Sequence, residues 1–533
     1  MTLRIVDLTV NAQVQVDENT LAAHLAKELG ITPGELSSFS IRKKSLDARK
    51  KSQIKLLYQI DFSANDEEAL LRAHGSRLTK IEGKPPLDPL AGLGPRPNLR
   101  HRPIIVGSGP AGIFAAYLLA RAGVPSLILE RGESVEARMR TVNRLRRHGE
   151  FTAESNFCYG EGGAGTFSDG KLTCGRNHPM IDLVFSTFVQ FGAPAEIMFQ
   201  AHPHIGTDYL MKIALNMRHW LLEQGCEFRF NTCFEGFVAG STTARFRVQL
   251  AGGETLATDQ LVLAIGHSAR DTYQRLLDQG LAMAQKPFAM GLRVEHPQET
   301  INGIQYGSSC ALPLPPAEYK LAAHTGDGRG IWTFCMCPGG HLLPTSAEEG
   351  HLAINGMSYH ARNSGFANAA LVVNVLRSDY DRGQVLDGVR FQRNVERASF
   401  IAGGGNYRSP AQRLTDFLQG KLSPEGSMRS TYRPGITSAR LDQVLPEHLV
   451  TALRAAIYDY AKKMHGFISS EAIVAGVESK TSAPITMPRG SDLQSLSHPG
   501  LFPCGEGAGY AGGIVSAALD GLRVARALLE GLH

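Results

Sequence analysis

A glycine-rich hexapeptide at residues 107–112 has the residue types and the spacing to hold a phosphate group. It follows the apolar run 104–106, which predicts a strand buried on both faces. Its first glycine permits a tight turn, its second lets a diphosphate approach the backbone, and its third lets the next helix pack closely on the sheet. The hexapeptide therefore predicts the phosphate-binding turn of a dinucleotide fold. Its residues are Gly107, Ser108, Gly109, Pro110, Ala111 and Gly112.

An acidic residue stands at the distance at which a dinucleotide fold needs one. Residues 125–129 predict the next strand, which ends at Glu130, 23 residues after Gly107. A carboxylate here accepts hydrogen bonds from ribose hydroxyls. Glutamate favours a ribose without a 2′-phosphate, and we expect Arg131 to hold the adenosine end of the dinucleotide.

A second glycine-rich stretch, residues 160–172, offers many unblocked backbone amides to an anion or to the edge of a flavin ring. It resembles the loop of fumarate-reductase-like flavoproteins that runs beside the flavin and the diphosphate. The positions expected to bind the cofactor are Gly162, Gly163, Thr166, Ser168, Asp169 and Lys171.

The C-terminal segment 500–514 has the second half of a flavin-site pattern. An apolar strand ends at Gly505-Glu506, which predicts a carboxylate on the ribityl chain, although aspartate is commoner than glutamate here. The following helix is expected to direct its N-terminus, at Gly512, Gly513 and Ile514, towards the flavin N1/C2 carbonyl.

Two strands between these ends complete the cofactor prediction. By resemblance to glutathione-reductase-type folds, the backbone of Phe234 contacts the adenine and Gly266 lies near the cofactor. We therefore expect an α/β protein with a Rossmann-type FAD-binding domain that holds FAD non-covalently. A thioether or similar link would need a residue such as Cys504 or Cys158 against the ring.

With those motifs, the chain resembles the bacterial family of uncharacterised FAD-dependent dehydrogenases. The resemblance covers nearly the whole sequence, and it implies no established reaction. The motifs that carry it are residues 42–49, 160–172, 266–272, 291–297, 335–340, 355–358 and 402–407.

The chain divides into three parts and a linker. Residues 1–83 predict a small N-terminal α/β module, with a strand at 5–10, a helix at 18–29, a strand at 51–62 and a helix at 66–74. Residues 84–102 are a proline-rich linker. Residues 103–274 and 486–533 form the FAD-binding domain, into which an α+β cap or substrate domain, 275–485, is inserted.

Composition and charge narrow the classes of protein. The 533 residues are 43% apolar with a net charge of +5, as in an ordinary globular protein. We expect no signal peptide and no membrane span, since the uncharged run 104–120 contains the phosphate-binding turn. The 8 scattered cysteines indicate reduced thiols and a cytoplasmic location.

The function predicted is hydride transfer between flavin and a small organic substrate. The sequence has no second nucleotide-binding fingerprint, since Gly403-Gly404-Gly405 follows a charged helical stretch and not an apolar strand. NAD(P)H is therefore expected at most as a transient reductant. No catalytic acid or base is assigned, and the oligomeric state is left open. Candidates for the substrate side are Arg293, His296, Asn406, Tyr407, Arg408, Glu478 and Lys480.

Four alternatives stay open at this point. The basic run 42–51 is interpreted as a solvated loop, but in an RNA-acting flavoprotein it would deliver nucleic acid. The run has no interleaved aromatic residues on which bases could stack, so nucleic acid is not the expected partner. A flavin-binding redox sensor without turnover is another. Cys335 and Cys337 could relay electrons as a dithiol, although their strand pattern favours a structural role. His202 and His204 could bind a metal, but no further ligand stands at suitable spacing.

Overall fold

A computed structural model describes residues 2–13, 17–82, 87–94, 99–175, 177–241 and 243–532. No helix within these ranges is both long and apolar enough to cross a membrane. Four of the linker prolines, at 85, 86, 95 and 97, lie outside the described residues. In the described part of the linker, the carbonyl of Pro89 accepts a hydrogen bond of 2.7 Å from Arg526 of the C-terminal helix.

The N-terminal module is an antiparallel sheet with two helices. Its strand order is β2-β3-β1-β4, and the buried face carries apolar residues such as Leu3, Ile5 and Ile60. Helix α1 begins after Asp17, whose side chain accepts from the amide of Thr20, and ends at Gly30. The elements are β1 (Thr2–Asn11), α1 (Glu18–Leu29), β2 (Leu36–Asp47), β3 (Lys55–Ala64), α2 (Glu67–His74) and β4 (Leu78–Ile81).

The structure corrects the interpretation of the basic run. Arg42, Lys43 and Lys44 lie in strand β2 and not in a loop. The amide of Lys44 donates to the carbonyl of Phe199 at 2.7 Å, so the edge of β2 docks on the main body of the protein. Arg42 pairs with the buried Asp61 at 2.6 Å. The sequence did not predict this strand because an edge strand carries many charged residues and few apolar ones, so the apolar alternation that marks a strand is weak.

The central sheet is parallel, and its strands in spatial order are β23 (Leu501–Pro503), β11 (Leu261–Leu263), β5 (Ile104–Val106), β6 (Leu127–Leu129) and β7 (Glu227–Arg229). Strand β11 pairs with β5 on one side and with β23, from the far end of the chain, on the other. The elements before the cap are β5 (Ile104–Val106), α3 (Pro110–Arg121), β6 (Leu127–Leu129), α4 (Val135–His148), α5 (Ile181–Gln190), α6 (Thr207–Glu223), β7 (Glu227–Arg229), β8 (Phe234–Ser241), β9 (Ala244–Leu250), β10 (Thr255–Thr258), β11 (Leu261–Leu263) and α7 (Arg270–Asp278). Strands β8, β9 and β10 form a separate antiparallel sheet.

Two further elements complete this unit at the C-terminus, β23 (Leu501–Pro503) and α13 (Ile514–Glu530). Helix α13 packs closely on α3, since a Cβ at Gly521 would lie only 2.1 Å from the carbonyl oxygen of Ala111. The turn after β5 and the turn after β23 therefore open on the same edge of the sheet, because both strands run parallel in it.

The cap is built on a seven-stranded sheet of order β14-β15-β18-β13-β21-β19-β20. The short pair β12–β22 lies where the chain enters and leaves it. We propose the boundaries expected from the sequence, at 83, 103, 275 and 485, as the domain boundaries. The elements are β12 (Ala284–Gln285), β13 (Phe288–Pro297), α8 (Gln298–Tyr306), β14 (Ala322–His324), β15 (Gly330–Cys337), β16 (His341–Pro344), β17 (Ile354–Met357), β18 (Phe366–Val375), α9 (Arg377–Tyr380), α10 (Asp387–Ala402), β19 (Ser409–Arg413), α11 (Leu414–Gln419), β20 (Ile436–Ser438), α12 (Glu447–Lys463), β21 (Ile473–Glu478) and β22 (Ile485–Thr486).

Candidate functional site

A deep cleft runs between the edge of the parallel sheet and the cap. It encloses about 1520 Å³ of space free of protein atoms, including its open mouth. Glu130 and Phe234 line this cleft, and the cap contributes Phe334, Cys335 and Asn355 to its wall.

Two positions of the turn after β5, Gly107 and Gly112, leave no room for a side chain. Gly107 has a φ of 100°, and a Cβ there would lie 2.3 Å from the carbonyl oxygen of Ala264. A Cβ on Gly112 would lie 2.0 Å from the carbonyl oxygen of Gly107, so this glycine lets α3 pack against the turn. Gly109 caps the N-terminus of α3, and its backbone closely approaches Gly163. The turn thus presents the helix N-terminus to the cleft.

Glu130 is held rigidly at the end of β6. Its side chain accepts from the amide and the hydroxyl of Ser108, at 3.0 and 2.7 Å, and from the amides of Gly132 and Gly160, each at 3.0 Å. Arg131 is bound to Glu154 and Asp271. Glu130 also lines the cleft, but these four donors occupy the lone-pair positions of its carboxylate, so ribose hydroxyls would have to displace one of them.

The glycine-rich stretch 160–172 links the two walls of the cleft. Asp169 is buried and pairs with Arg362 of the cap at 2.9 Å, and it also accepts a hydrogen bond from Ser358. The Arg362 guanidinium holds the pKa of Asp169 below its usual range against the effect of burial. Lys171 Nζ lies 3.5 Å from Glu318 of the cap. Asp169 and Lys171 therefore hold the cap on the cleft as well as lining it.

Glu506 is the unpaired carboxylate of the cleft. It follows β23, lines the cleft, and its side chain makes no hydrogen bond to any described residue. Burial raises the pKa of Glu506 to about 8, against which the charge of Lys286 acts only weakly. A Cβ on Gly512 or Gly513 would meet nothing within 4 Å. A polyhydroxyl chain that hydrogen-bonds to Glu506 would remove the cost of leaving this group unpaired.

The predicted cofactor residues fall into two sets. Five of them lie behind the cleft wall: Ser108, Gly112, Gly162, Thr166 and Gly505. Ser108 positions Glu130. Gly112 and Gly505 let α3 pack closely on its neighbours, and Gly162 leaves room for Thr166. The others line the cleft: Gly107, Gly109, Pro110, Ala111, Glu130, Arg131, Gly163, Ser168, Asp169, Lys171, Phe234, Gly266, Glu506, Gly512, Gly513 and Ile514.

Most of the substrate-side candidates do not reach the cleft, and this corrects the sequence analysis. Arg293 and Glu478 are completely buried and form an ion pair of 2.7 Å behind the wall. His296 bonds to the carbonyl of Phe467 in the cap core. The others that do not line the cleft are Asn406, Tyr407 and Arg408. Lys480 alone among the seven lines it.

Sequence reasoning missed His267 and Asn355, both of which line the cleft. His267 Nδ1 lies 2.6 Å from the Ser268 hydroxyl, and burial together with the charge of Lys480 lowers the pKa of His267 to about 3. Both residues stand in motifs that carry the family resemblance, 266–272 and 355–358. That was the available signal, but a motif does not tell which of its side chains faces the cleft.

Cys335 and Cys337 also line the cleft, on strand β15 as expected. Burial raises the pKa of Cys335 to about 12 and that of Cys337 to about 11. Thiols of such pKa are protonated at neutral pH and are poor nucleophiles, which argues against a dithiol relay. Cys158 and Cys504 line the cleft as well, and burial raises the pKa of Cys504 far above its usual range.

The metal prediction concerns His202 and His204. Within the described ranges, no group of three or more His, Cys, Asp or Glu residues is arranged to hold a metal ion. His202 pairs with Glu318, while the ring of His204 stacks on that of His360 at a centroid distance of 5.1 Å. These histidines therefore have structural partners between the flavin-binding unit and the cap.

This site and fold define a class, the flavoproteins with a Rossmann-type dinucleotide domain, and comparison with known proteins agrees. Residues 105–160 match the model of the NAD(P)-binding Rossmann-like domain. Residues 287–481 match the FAD-dependent protein, C-terminal domain-like family. Residues 2–63 match a domain of unknown function.

An uncharacterized protein of Clostridium beijerinckii is 40% identical over 525 residues, which cover 98% of each chain. The chain therefore belongs to the bacterial family of uncharacterised FAD-dependent proteins, and FAD is confirmed as the cofactor of this family. A shorter match of 52 residues, 9% of this chain and 13% of the relative, is 48% identical to the probable indole-3-pyruvate monooxygenase YUCCA1 of Arabidopsis thaliana.

Solved structures give weaker likenesses. A geranylgeranyl bacteriochlorophyll reductase-like protein of Thermoplasma acidophilum is 12% identical, with coverage of 81% of this chain and 78% of the other and a TM-score of 0.34. The halogenase PltM is also 12% identical, with coverages of 81% and 70% and a TM-score of 0.38. Scores of this size carry no statement about function.

Proposed function

We propose that this chain is a FAD-dependent oxidoreductase that transfers a hydride between its flavin and a small organic substrate. One observation carries the proposal. One cleft is lined at the same time by Glu130, by Gly109 at the N-terminus of α3, by the unpaired Glu506 and by residues of the cap wall. Residues of the types that hold a dinucleotide and residues of the cap therefore face the same space.

The residues present fit FAD. Glu130 and Arg131 would bind the adenosine half and Glu506 the ribityl hydroxyls. The backbone amides that would bind the diphosphate are those of Gly109, Ala111, Ala164 and Gly165, which line the cleft. The N-terminus of α13 at Gly513 would stabilise negative charge at the pyrimidine side of the flavin. When bound, FAD supplies the two-electron chemistry. We propose that it is held non-covalently, since the thiols of Cys335, Cys337 and Cys504 are protonated and unreactive.

The chain itself would orient the substrate and keep water away from the reacting atoms. Asp169–Arg362 and Lys171–Glu318 tie the cofactor loop to the cap, so the substrate end stays covered. The structure assigns no general acid or base. NAD(P)H remains a candidate for a reductant that enters transiently at the open mouth of the cleft.

The test is the visible spectrum of the purified protein without oxygen, before and after addition of NADPH and then NADH. We expect a yellow protein with a flavin spectrum. Rapid bleaching by either nucleotide would identify the reductant. A spectrum that bleaches only with organic hydride donors would mean that the reductant is an organic substrate bound against the cap. A protein that is colourless and takes up no added FAD would refute the proposal, and one that no donor reduces would limit it to a sensor.

A further inference from the structure

The cap wall of the cleft presents one amide whose orientation is determined by its neighbours. Asn355 lies on β17 and lines the cleft. Its Oδ1 accepts from Arg293 Nη1 at 2.7 Å and from the amide of Gly356, also at 2.7 Å. Neither of these groups can accept a hydrogen bond, because a guanidinium and a backbone N–H are donors only. The oxygen of Asn355 must therefore face them, and its NH₂ group is the free end.

Arg293 is itself immobile. It is completely buried and pairs with Glu478 at 2.7 Å, and it also donates to Asn368 at 2.8 Å and to the carbonyl of Cys335. A Cβ on Gly356 would lie 2.5 Å from Arg293 Nη2, so a glycine is needed beside the guanidinium. Arg293 is thus a positioning residue that holds Asn355 in one orientation.

The Nδ2 group of Asn355 makes no hydrogen bond to any described residue. Among the other polar groups of the cap wall, the Thr481 hydroxyl donates to the carbonyl of Ala289, and Cys335 and Cys337 carry neutral thiols. Lys480 Nζ lies 3.2 Å from Glu396 but makes no hydrogen bond to a described residue. Phe334 adds an aromatic ring to the same wall. This wall therefore combines an apolar surface with one pre-oriented amide donor and the amine of Lys480.

We propose that the Asn355 amide donates a hydrogen bond to the substrate, and that the substrate carries a carbonyl or carboxylate oxygen on an aromatic or apolar frame. This inference rests on the proposed function, since it takes the flavin to be in the cleft. A substrate without such an oxygen would leave the amide desolvated and unpaired, so the wall discriminates against it.

The experiment uses protein loaded with FAD, whose content is first measured from its absorbance. Benzoate and acetophenone, which carry the acceptor oxygen, and benzylamine, which does not, are titrated while the visible spectrum of the flavin is recorded. We expect wild-type protein to bind benzoate and acetophenone more tightly than benzylamine. This comparison of the three ligands uses the wild-type protein alone and so does not depend on the folding of a variant. If neither acceptor perturbs the spectrum, or if benzylamine binds as well, the inference is wrong.

Asn355→Asp replaces the free NH₂ by an oxygen, while it keeps the acceptor that faces Arg293. We expect benzoate binding to weaken by about tenfold or more. Asn406→Asp makes the same change at an exposed position away from the cleft and should leave binding unchanged. Unaltered benzoate binding by Asn355→Asp would overturn the inference. So would a large loss of FAD affinity, since it would assign the amide to the flavin carbonyls. A colourless wild-type protein would refute the proposed function itself.

Discussion

Arg270 and Glu396 form a buried two-pronged ion pair that joins the flavin-binding unit to the cap. Arg270 Nη1 lies 2.8 Å from Glu396 Oε2, and Nη2 lies 2.7 Å from Oε1. Arg270 stands at the start of α7, just after the cleft residue His267, whereas Glu396 belongs to α10 of the cap. Lys480 Nζ approaches the same carboxylate at 3.2 Å. Glu396 thus faces two buried cations beside the cleft, and Arg270 also pairs with Glu348 at 2.9 Å.

Glu396→Gln is expected to destabilise the protein strongly, because it removes the carboxylate that the buried Lys480 approaches and leaves Arg270 with Glu348 alone. We expect a loss of about 3–5 kcal/mol in the free energy of unfolding, measured by urea denaturation. Glu530→Gln removes one partner of the exposed pair Arg526–Glu530 and should cost no more than about 0.5 kcal/mol. Equal effects of the two variants would show that the buried pair does not hold the cap.

Three glycine-to-alanine variants separate packing from cofactor binding. Gly112→Ala places a methyl group 2.0 Å from a backbone oxygen, so we expect a loss of stability of about 1–3 kcal/mol or more. Gly512→Ala meets nothing in the protein and should leave the FAD-free protein stable, while its methyl group enters the cofactor space.

We therefore expect Gly512→Ala to weaken FAD binding by about tenfold, measured by quenching of flavin fluorescence. Gly326→Ala also meets no atom within 4 Å and lies away from the cleft, so it should change neither property. If Gly512→Ala binds FAD as tightly as wild type, the cofactor does not lie against the N-terminus of α13.

Glu506→Gln tests the unpaired carboxylate through pH. Burial raises the pKa of Glu506 to about 8 from an ordinary value of 4.5. The protonated form therefore stabilises the fold, and this contribution is fully present below about pH 4.5 and is lost as the pH rises through about 8. Glutamine mimics the protonated form at every pH.

We expect FAD-free Glu506→Gln and wild type to unfold at similar free energies near about pH 4.5, with the variant more stable by about 1–2 kcal/mol near about pH 9. Chemical denaturation at the two pH values measures the difference. A gap that is the same at both values would mean that Glu506 is not desolvated in the cleft.

The two cysteines of the cap wall are expected to be accessible but unreactive. Cys335 is exposed at the cleft surface, where desolvation by the surrounding cleft walls raises the pKa of its thiol to about 12. Because the thiolate is the reactive species, iodoacetamide should modify Cys335 far more slowly at neutral pH than it modifies free cysteine, as followed by mass spectrometry. The double variant Cys335→Ser/Cys337→Ser should keep its rate of flavin reduction. A large fall in that rate would establish the dithiol relay instead.

Much of the cofactor half could be predicted from local sequence. The turn after β5 and the strand-turn-helix around Glu506 are short, and glycine is required where a backbone approaches closely, so their residue types alone are diagnostic. Helix α1 spans Glu18–Leu29 as expected because its caps, Asp17 and Gly30, are local signals. The assignment of each predicted residue to FAD stays a prediction until the loaded protein is examined.

The substrate half was decided by tertiary structure. Arg293 and Glu478 are charged residues of the kind that occur on surfaces, but pairing across strands β13 and β21 allows both to be buried behind the wall. Asn355 becomes a directed donor only because Arg293, 62 residues earlier in the chain, occupies its oxygen. Sequence alone predicts where a dinucleotide binds, since those rules act within a few residues. Which side chains face the substrate depends on contacts between distant strands, and only the folded chain sets them.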